Sequence, residues 1–172
     1  VDLYEDRGYP HAKVEIETVS VRPGEVRVVV RVEEGDPLRI GDIRFAGVDR
    51  EWQAEARSAL PFSTGAVAAK DTLSNGRSAL FRFARGRGYY QAEVAASQEV
   101  TGQAVALRYD VRLGLRFEIA VSGNQHVSGA ELLGLTDLGT RPMVTRGTWQ
   151  LMAIRMQERY REDGFRFAEV RV

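Results

Sequence analysis

The sequence predicts an α+β protein made of tandem modules, each ordered strand, helix, helix, strand, strand, with a three-stranded mixed sheet and two helices on one sheet face. Three observations predict it. First, a signature of Gly, aromatic, two residues, Ala, one residue, Val recurs at Gly8-Tyr9 to Val14, Gly88-Tyr89 to Val94 and Gly164-Phe165 to Val170. Second, a turn landmark, Phe45-Ala46-Gly47 and later Val121-Ser122-Gly123, precedes Gly88 and Gly164 by the same 41 residues. Third, apolar residues follow a helical period before Gly88 and Gly164 and a strand period after Gly8 and Gly88.

The signature glycines stand 80 and 76 residues apart, well beyond the roughly 20 to 50 residues of a solenoid repeat, so each copy is a small domain. In phase with them, residues 35–113 hold one complete module. Residues 1–34 hold the C-terminal part of another, and residues 114–172 hold a third without its last strand. A chain that begins at Val1 and enters and leaves modules midway is expected to be a piece of a longer one.

Within the complete module, Leu38 to Phe45 reads as the first strand, closed by the Ala46-Gly47 turn. Asp49 is placed to cap a short helix with Trp52, Ala56, Ala59 and Leu60 on one face, stopped by Pro61. Ser128 and Glu131 form the matching capping box in the last copy. A longer helix follows, with a stripe of Leu73, Arg77, Leu80, Phe81 and Ala84 in the middle copy and Trp149, Met152, Ala153, Met156 and Tyr160 in the last. Directly after the stripe, Gly88 is expected at positive φ, where a residue without Cβ lets the chain leave the helix, and the aromatic beside it covers the helix end. A hairpin completes the module. In the first copy Ala12, Val14 and Ile16 alternate with charged residues, Arg22-Pro23-Gly24-Glu25 suits a type II turn, and Val26, Val28, Val30 and Val32 return. In the middle copy Ala92, Val94 and Ala96 are answered by Val105, Leu107, Tyr109 and Val111. Two helices cover only one face of such a sheet, so Arg108, Asp110 and Arg112 belong to a solvated face.

Twenty-four basic and 24 acidic residues cancel, which removes the global electrostatic case for nucleic acid or an anionic membrane. Residues 70–90 are locally basic, with Lys70, Arg77, Arg82, Arg85 and Arg87 against Asp71, as a helix C-terminus favours. The absence of cysteine excludes disulfides and thiolate metal sites and suits an oxidising compartment. No catalytic, metal or cofactor constellation is present. His11 and His126 lack an i+4 partner, Gly86-Arg87-Gly88 follows a helix where a dinucleotide loop would open one, and neither a phosphate-binding loop nor a Gly-x-Ser-x-Gly elbow occurs. The chain is therefore read as a non-enzyme that needs no cofactor. What remains is binding surface, in particular a hairpin strand at the sheet edge with main-chain groups open to an extended segment.

With this element order, the Ile43/Phe45-Ala-Gly landmark and the thrice-repeated Gly-aromatic-x-x-Ala-x-Val signature, the chain resembles POTRA domains, the polypeptide-transport-associated repeats. Gly47, Gly88, Tyr89, Gly123, Gly164 and Phe165 carry the resemblance. It implies a periplasmic location and a tether to the outer membrane through a C-terminal β-barrel of an assembly or translocation factor. The implied partners are unfolded outer-membrane or secreted polypeptides, handed on to that barrel, and accessory periplasmic proteins; nucleic acid is not among them. Family behaviour also implies capture by edge-strand pairing, here at Gln91, Ala92, Glu93, Val94, Ala95, Ala96 and Ser97. Two other readings stay open: an envelope scaffold of the division-site type, and an RNA-binding repeat using Arg77, Arg82, Arg85 and Arg87. In POTRA-like sheets the final strand is central. Leu115 to Val121 and Phe167 to Val172 are therefore expected to lack their partner, leaving a slot that stays unfilled or takes a strand from another molecule, such as the hairpin of residues 11–33.

Overall fold

The structure, a computed structural model, describes residues 2–138 and 144–172. In chain order the elements are α1 (Asp2–Asp6), β1 (Lys13–Arg22), β2 (Glu25–Glu33), β3 (Arg39–Ala46), α2 (Arg50–Ala59), α3 (Thr72–Gly86), β4 (Glu93–Thr101), β5 (Ala104–Arg112), α4 (Gly129–Gly134) and α5 (Arg146–Glu162). They fall into two compact units, Val1–Leu80 with Val94–Val111, and Phe81–Glu93 with Arg112–Val172.

In the first unit β1 and β2 form an antiparallel hairpin running from Lys13↔Glu33 to Arg22↔Glu25, turned by Pro23 and by Gly24 at φ +81. β3, β5 and β4 form a mixed three-stranded sheet in that spatial order. β3 runs parallel to β5, with Phe45 opposite Tyr109, and the last strand of the module occupies the centre. A register shift between Ile40 and Asp42 inserts Gly41, so that Ile40, Ile43 and Phe45 all turn inward although their spacing breaks the period of two. They join Val105, Leu107, Tyr109 and Val111 in a buried face.

Both helices cover this face. α2 begins where Asp49 accepts a hydrogen bond from the Trp52 backbone N–H at 2.8 Å, and Trp52 packs edge-on to Phe45 with ring centroids 6.5 Å apart. Arg57 reaches back to donate to the Ile43 carbonyl at 2.8 Å. α3 meets the sheet differently from the expected stripe. Arg77 is exposed, and in the part of α3 that belongs to this unit Thr72, Gly76, Ala79 and Leu80 are buried. The cause is the Tyr109 ring: a Cβ at position 76 would overlap its hydroxyl, so the helix presents its glycine there despite a propensity cost of about 1 kcal/mol. The opposite sheet face is solvated, with Arg108 paired to Asp110 at 2.9 Å and Arg44 to Asp42 at 2.6 Å.

In the second unit α4 starts at Ser128, whose hydroxyl accepts from the Glu131 N–H at 3.1 Å. α5 starts at Thr145, whose N–H donates to Thr148 Oγ1 at 3.0 Å. Two apolar clusters hold the unit, one around Val127, Leu132 and Met156, the other around Leu138, Val144 and Met152 with Trp149. Among the described residues neither 115–122 nor 167–172 forms a strand. A cavity of about 430 Å³ is lined by residues 119–126 and 168–172 together with Trp149, Met152 and Met156.

Candidate polypeptide-binding edge

The signature turn sets the start of β4. The Gly88 N–H donates to the Arg85 carbonyl at 2.9 Å, the Tyr89 N–H to the Ala84 carbonyl at 3.1 Å, and the Ala92 N–H to the Tyr89 carbonyl at 3.1 Å. Gly88 sits at φ +89, which only glycine adopts without strain. Gly8 at φ +91 and Gly164 at φ +92 take the same conformation, and the same three hydrogen bonds close both turns. Tyr9 and Phe165 each meet a tyrosine five residues earlier, Tyr4 and Tyr160, edge-on. The landmark glycines Gly47 and Gly123 also match, at φ +81 and +80. A Cβ on Gly47 would overlap the Val111 carbonyl.

Gln91 and Ala92 complete the turn and Glu93 to Ser97 lie in β4. Ala92 is buried and Val94 and Ala96 are half-buried, whereas Gln91, Glu93, Ala95 and Ser97 are exposed. One phase of the strand thus anchors it and the other faces solvent. β4 is joined to β5 through the Gly102-Gln103 turn, with Gly102 at φ +60, and it ends the sheet. Among the described residues no strand pairs with its outer side. The outward main-chain N–H and C=O groups are spaced to accept another strand.

The opposite edge is partly closed. Over the first residues of β3, the Ile40 N–H donates to the Ala66 carbonyl at 2.9 Å, the Gly65 N–H to the Ile40 carbonyl at 2.7 Å and the Ala68 N–H to the Leu38 carbonyl at 2.8 Å. Sequence reading gave no sign of this cover, since residues 61–71 carry neither strand alternation nor a helical period.

The basic stretch is redistributed. Arg85 is only 2% exposed, donates to the carbonyls of Leu138 and Tyr90 at 3.1 Å each and stacks over Phe81 at 4.2 Å. Burial pushes its guanidinium below the usual range. Arg87 lies 3.6 Å over Phe83. Of the four arginines in the RNA-binding reading, Arg77, Arg82, Arg85 and Arg87, only Arg85 is withdrawn into the fold. His11 and His126 are exposed, and His126 stacks on Phe165 at 4.4 Å. No group of residues suited to hold a metal occurs among the described residues.

The described fold holds a small α+β sheet, β3-β5-β4, with β4 at its edge. Residues 38–114 match the model of the POTRA family, described as surface antigen variable number repeat, and over this stretch the chain is similar to that family. Solved structures similar to the chain include three from proteins named BamA or Omp85. POTRA domains 3–5 of BamA from Haemophilus influenzae align at 19% identity over 98% of this chain and 67% of that one, with a TM-score of 0.43. POTRA domains 1–2 of the periplasmic domain of Omp85 from Anabaena align at 16% identity over 77% and 84%, with a TM-score of 0.41. The N-terminal domain of Omp85 from Thermosynechococcus elongatus aligns at 17% identity over 73% and 52%, with a TM-score of 0.36. No curated protein matches the sequence.

Proposed function

We propose that this chain is a non-enzymatic, periplasmic polypeptide-binding region of an outer-membrane protein assembly or translocation factor, tethered to the outer membrane through a C-terminal β-barrel. It holds unfolded outer-membrane or secreted chains as an added strand on β4 and passes them on. Its modules are residues 1–34, 35–113 and 114–172. The observation that carries the reading is the position of β4, the last strand of its sheet, with Glu93, Ala95 and Ser97 in its solvent-facing phase. The POTRA match over residues 38–114 supports the biological setting. No helix among the described residues is long and apolar enough to cross a membrane. A few main-chain bonds, each contributing about 0.5 to 1.5 kcal/mol, give weak and releasable capture, as a hand-over step requires.

Single prolines at residues 92–97 test it. Proline removes one N–H donor. At positions whose N–H points to β5 it lowers the melting temperature. At positions whose N–H points outward it leaves melting almost unchanged and weakens binding of an extended client peptide severalfold. Peptide binding that maps to α2 or α3, or that never separates from folding stability across the scan, overturns the assignment.

A further inference from the structure

Two of the three signature turns are occupied, and in the same way. The Leu38 N–H donates to the Gly8 carbonyl at 2.8 Å, and the Phe117 N–H donates to the Gly88 carbonyl at 2.9 Å. Three residues before each donor stands a glycine at positive φ, Gly35 at +70 and Gly114 at +69. Each of these glycines lies on the third residue after the signature glycine: a Cβ on Gly35 would touch the His11 Cβ at 3.6 Å, and one on Gly114 the Gln91 Cβ at 3.4 Å. The fit leaves no room for side chains. A Cβ on Gly8 would come within 2.6 Å of the Ala68 carbonyl oxygen, and one on Gly88 within 2.5 Å of the Phe117 carbonyl oxygen.

The third turn has the same backbone and none of the cover. Among the described residues nothing lies within 4 Å of a Cβ built on Gly164. Phe167, at the place of His11 and Gln91, is 99% exposed, and an open cavity of about 360 Å³ borders Tyr160, Gly164, Phe165 and Phe167. We propose that the signature turn is a socket for the entry segment of a module, and that the Gly164 turn is such a socket. Its occupant is an extended Gly-x-x-apolar segment, like Gly35-Asp36-Pro37-Leu38 and Gly114-Leu115-Arg116-Phe117. The occupant's glycine lies on Phe167 and its apolar residue donates a main-chain N–H to the Gly164 carbonyl. The turn therefore couples modules as well as ending a helix. This rests on the reading of the chain as repeated modules, but not on client capture at β4.

The test is a titration of the isotope-labelled protein with a ten-residue peptide of the sequence Arg112–Val121, followed by amide chemical shifts. Three altered peptides accompany it: D-alanine at the Gly114 position, L-alanine there, and an N-methylated amide at the Phe117 position. Shifts are expected at Gly164, Phe165 and Phe167. The D-alanine peptide, which favours positive φ, binds as the parent does, while the L-alanine and N-methyl peptides bind about threefold to tenfold more weakly. Equal binding by all four peptides, no shift at these residues with millimolar peptide, or shifts confined to residues 93–101 overturns the proposal. The last of these outcomes would leave the β4 assignment standing.

Discussion

Gly88 and Gly164 share a backbone conformation but not an environment, and single substitutions separate the two effects. Alanine at either position meets the left-handed conformation, at about 1 to 2 kcal/mol. At Gly88 the Cβ also meets the Phe117 carbonyl oxygen at 2.5 Å, which adds roughly 1 to 3 kcal/mol of overpacking. Urea melts should therefore show Gly88→Ala to be the more destabilised variant; equal losses would mean that the close approach carries no energy. Tyr109 gives a second residue-scale expectation. Its hydroxyl is buried, with one long hydrogen bond of 3.5 Å to the Leu73 carbonyl, and burial pushes its pKa from 10.0 up to about 12. The unfolded chain releases this proton first, so the stabilisation is complete below pH 10 and is lost as pH rises toward 12, by roughly 2 kcal/mol. Tyr109→Phe should flatten that part of the stability curve, measured by denaturant melts across the window.

At the scale of elements, the short helix depends on its first turn. Asp49→Ala removes the acceptor for the Trp52 N–H and should cost about 1 kcal/mol, read as a fall in melting temperature. This cap was legible because one residue type at one position performs it, and α3, the hairpins and the positive φ at Gly88 were legible for the same reason: each is specified by its own few residues. What stayed hidden is what distant residues impose. Arg77 fits the apolar spacing of α3, but the bulk of Tyr109, on the last strand, rotates the buried face to Gly76. The inward turn of both Ile40 and Ile43 depends on a bulge at Gly41 that no periodicity announces. Arg85, read as a cation near a helix end, takes buried carbonyls 5 and 53 residues further on as its partners. At the candidate edge, the alternation of Ala92, Val94 and Ala96 was readable from the sequence; the cover over β3 by residues 65–68 was not.

Across the whole molecule, corresponding segments are buried to different degrees. In the middle module Val105, Leu107, Tyr109 and Val111 are buried, whereas Val26, Val28, Val30 and Val32, the residues that return along β2, are all exposed. Residues 115–122 and 167–172 form no strand, and residues 119–122 and 168–172 of them border a cavity. Hydrogen exchange should follow this division: amides of β5 exchange slowest, and those of residues 115–122 and 167–172 exchange fast, apart from Phe117 and Ala168, whose N–H groups are bonded to the Gly88 and Phe165 carbonyls. A chelator should leave the pattern unchanged. The central place of β5 has a further consequence, in time. Phe45 is aligned with Tyr109, 64 residues later, so the strand that joins the other two is the last to be made. Long-range pairing of this kind closes slowly, after the intervening chain has been ordered. A module emerging N-terminus first from a ribosome or an export channel holds β3 and both helices without a sheet until residues 104–112 appear. Its folding is then completed in one late step, on the far side of whatever the chain has passed through.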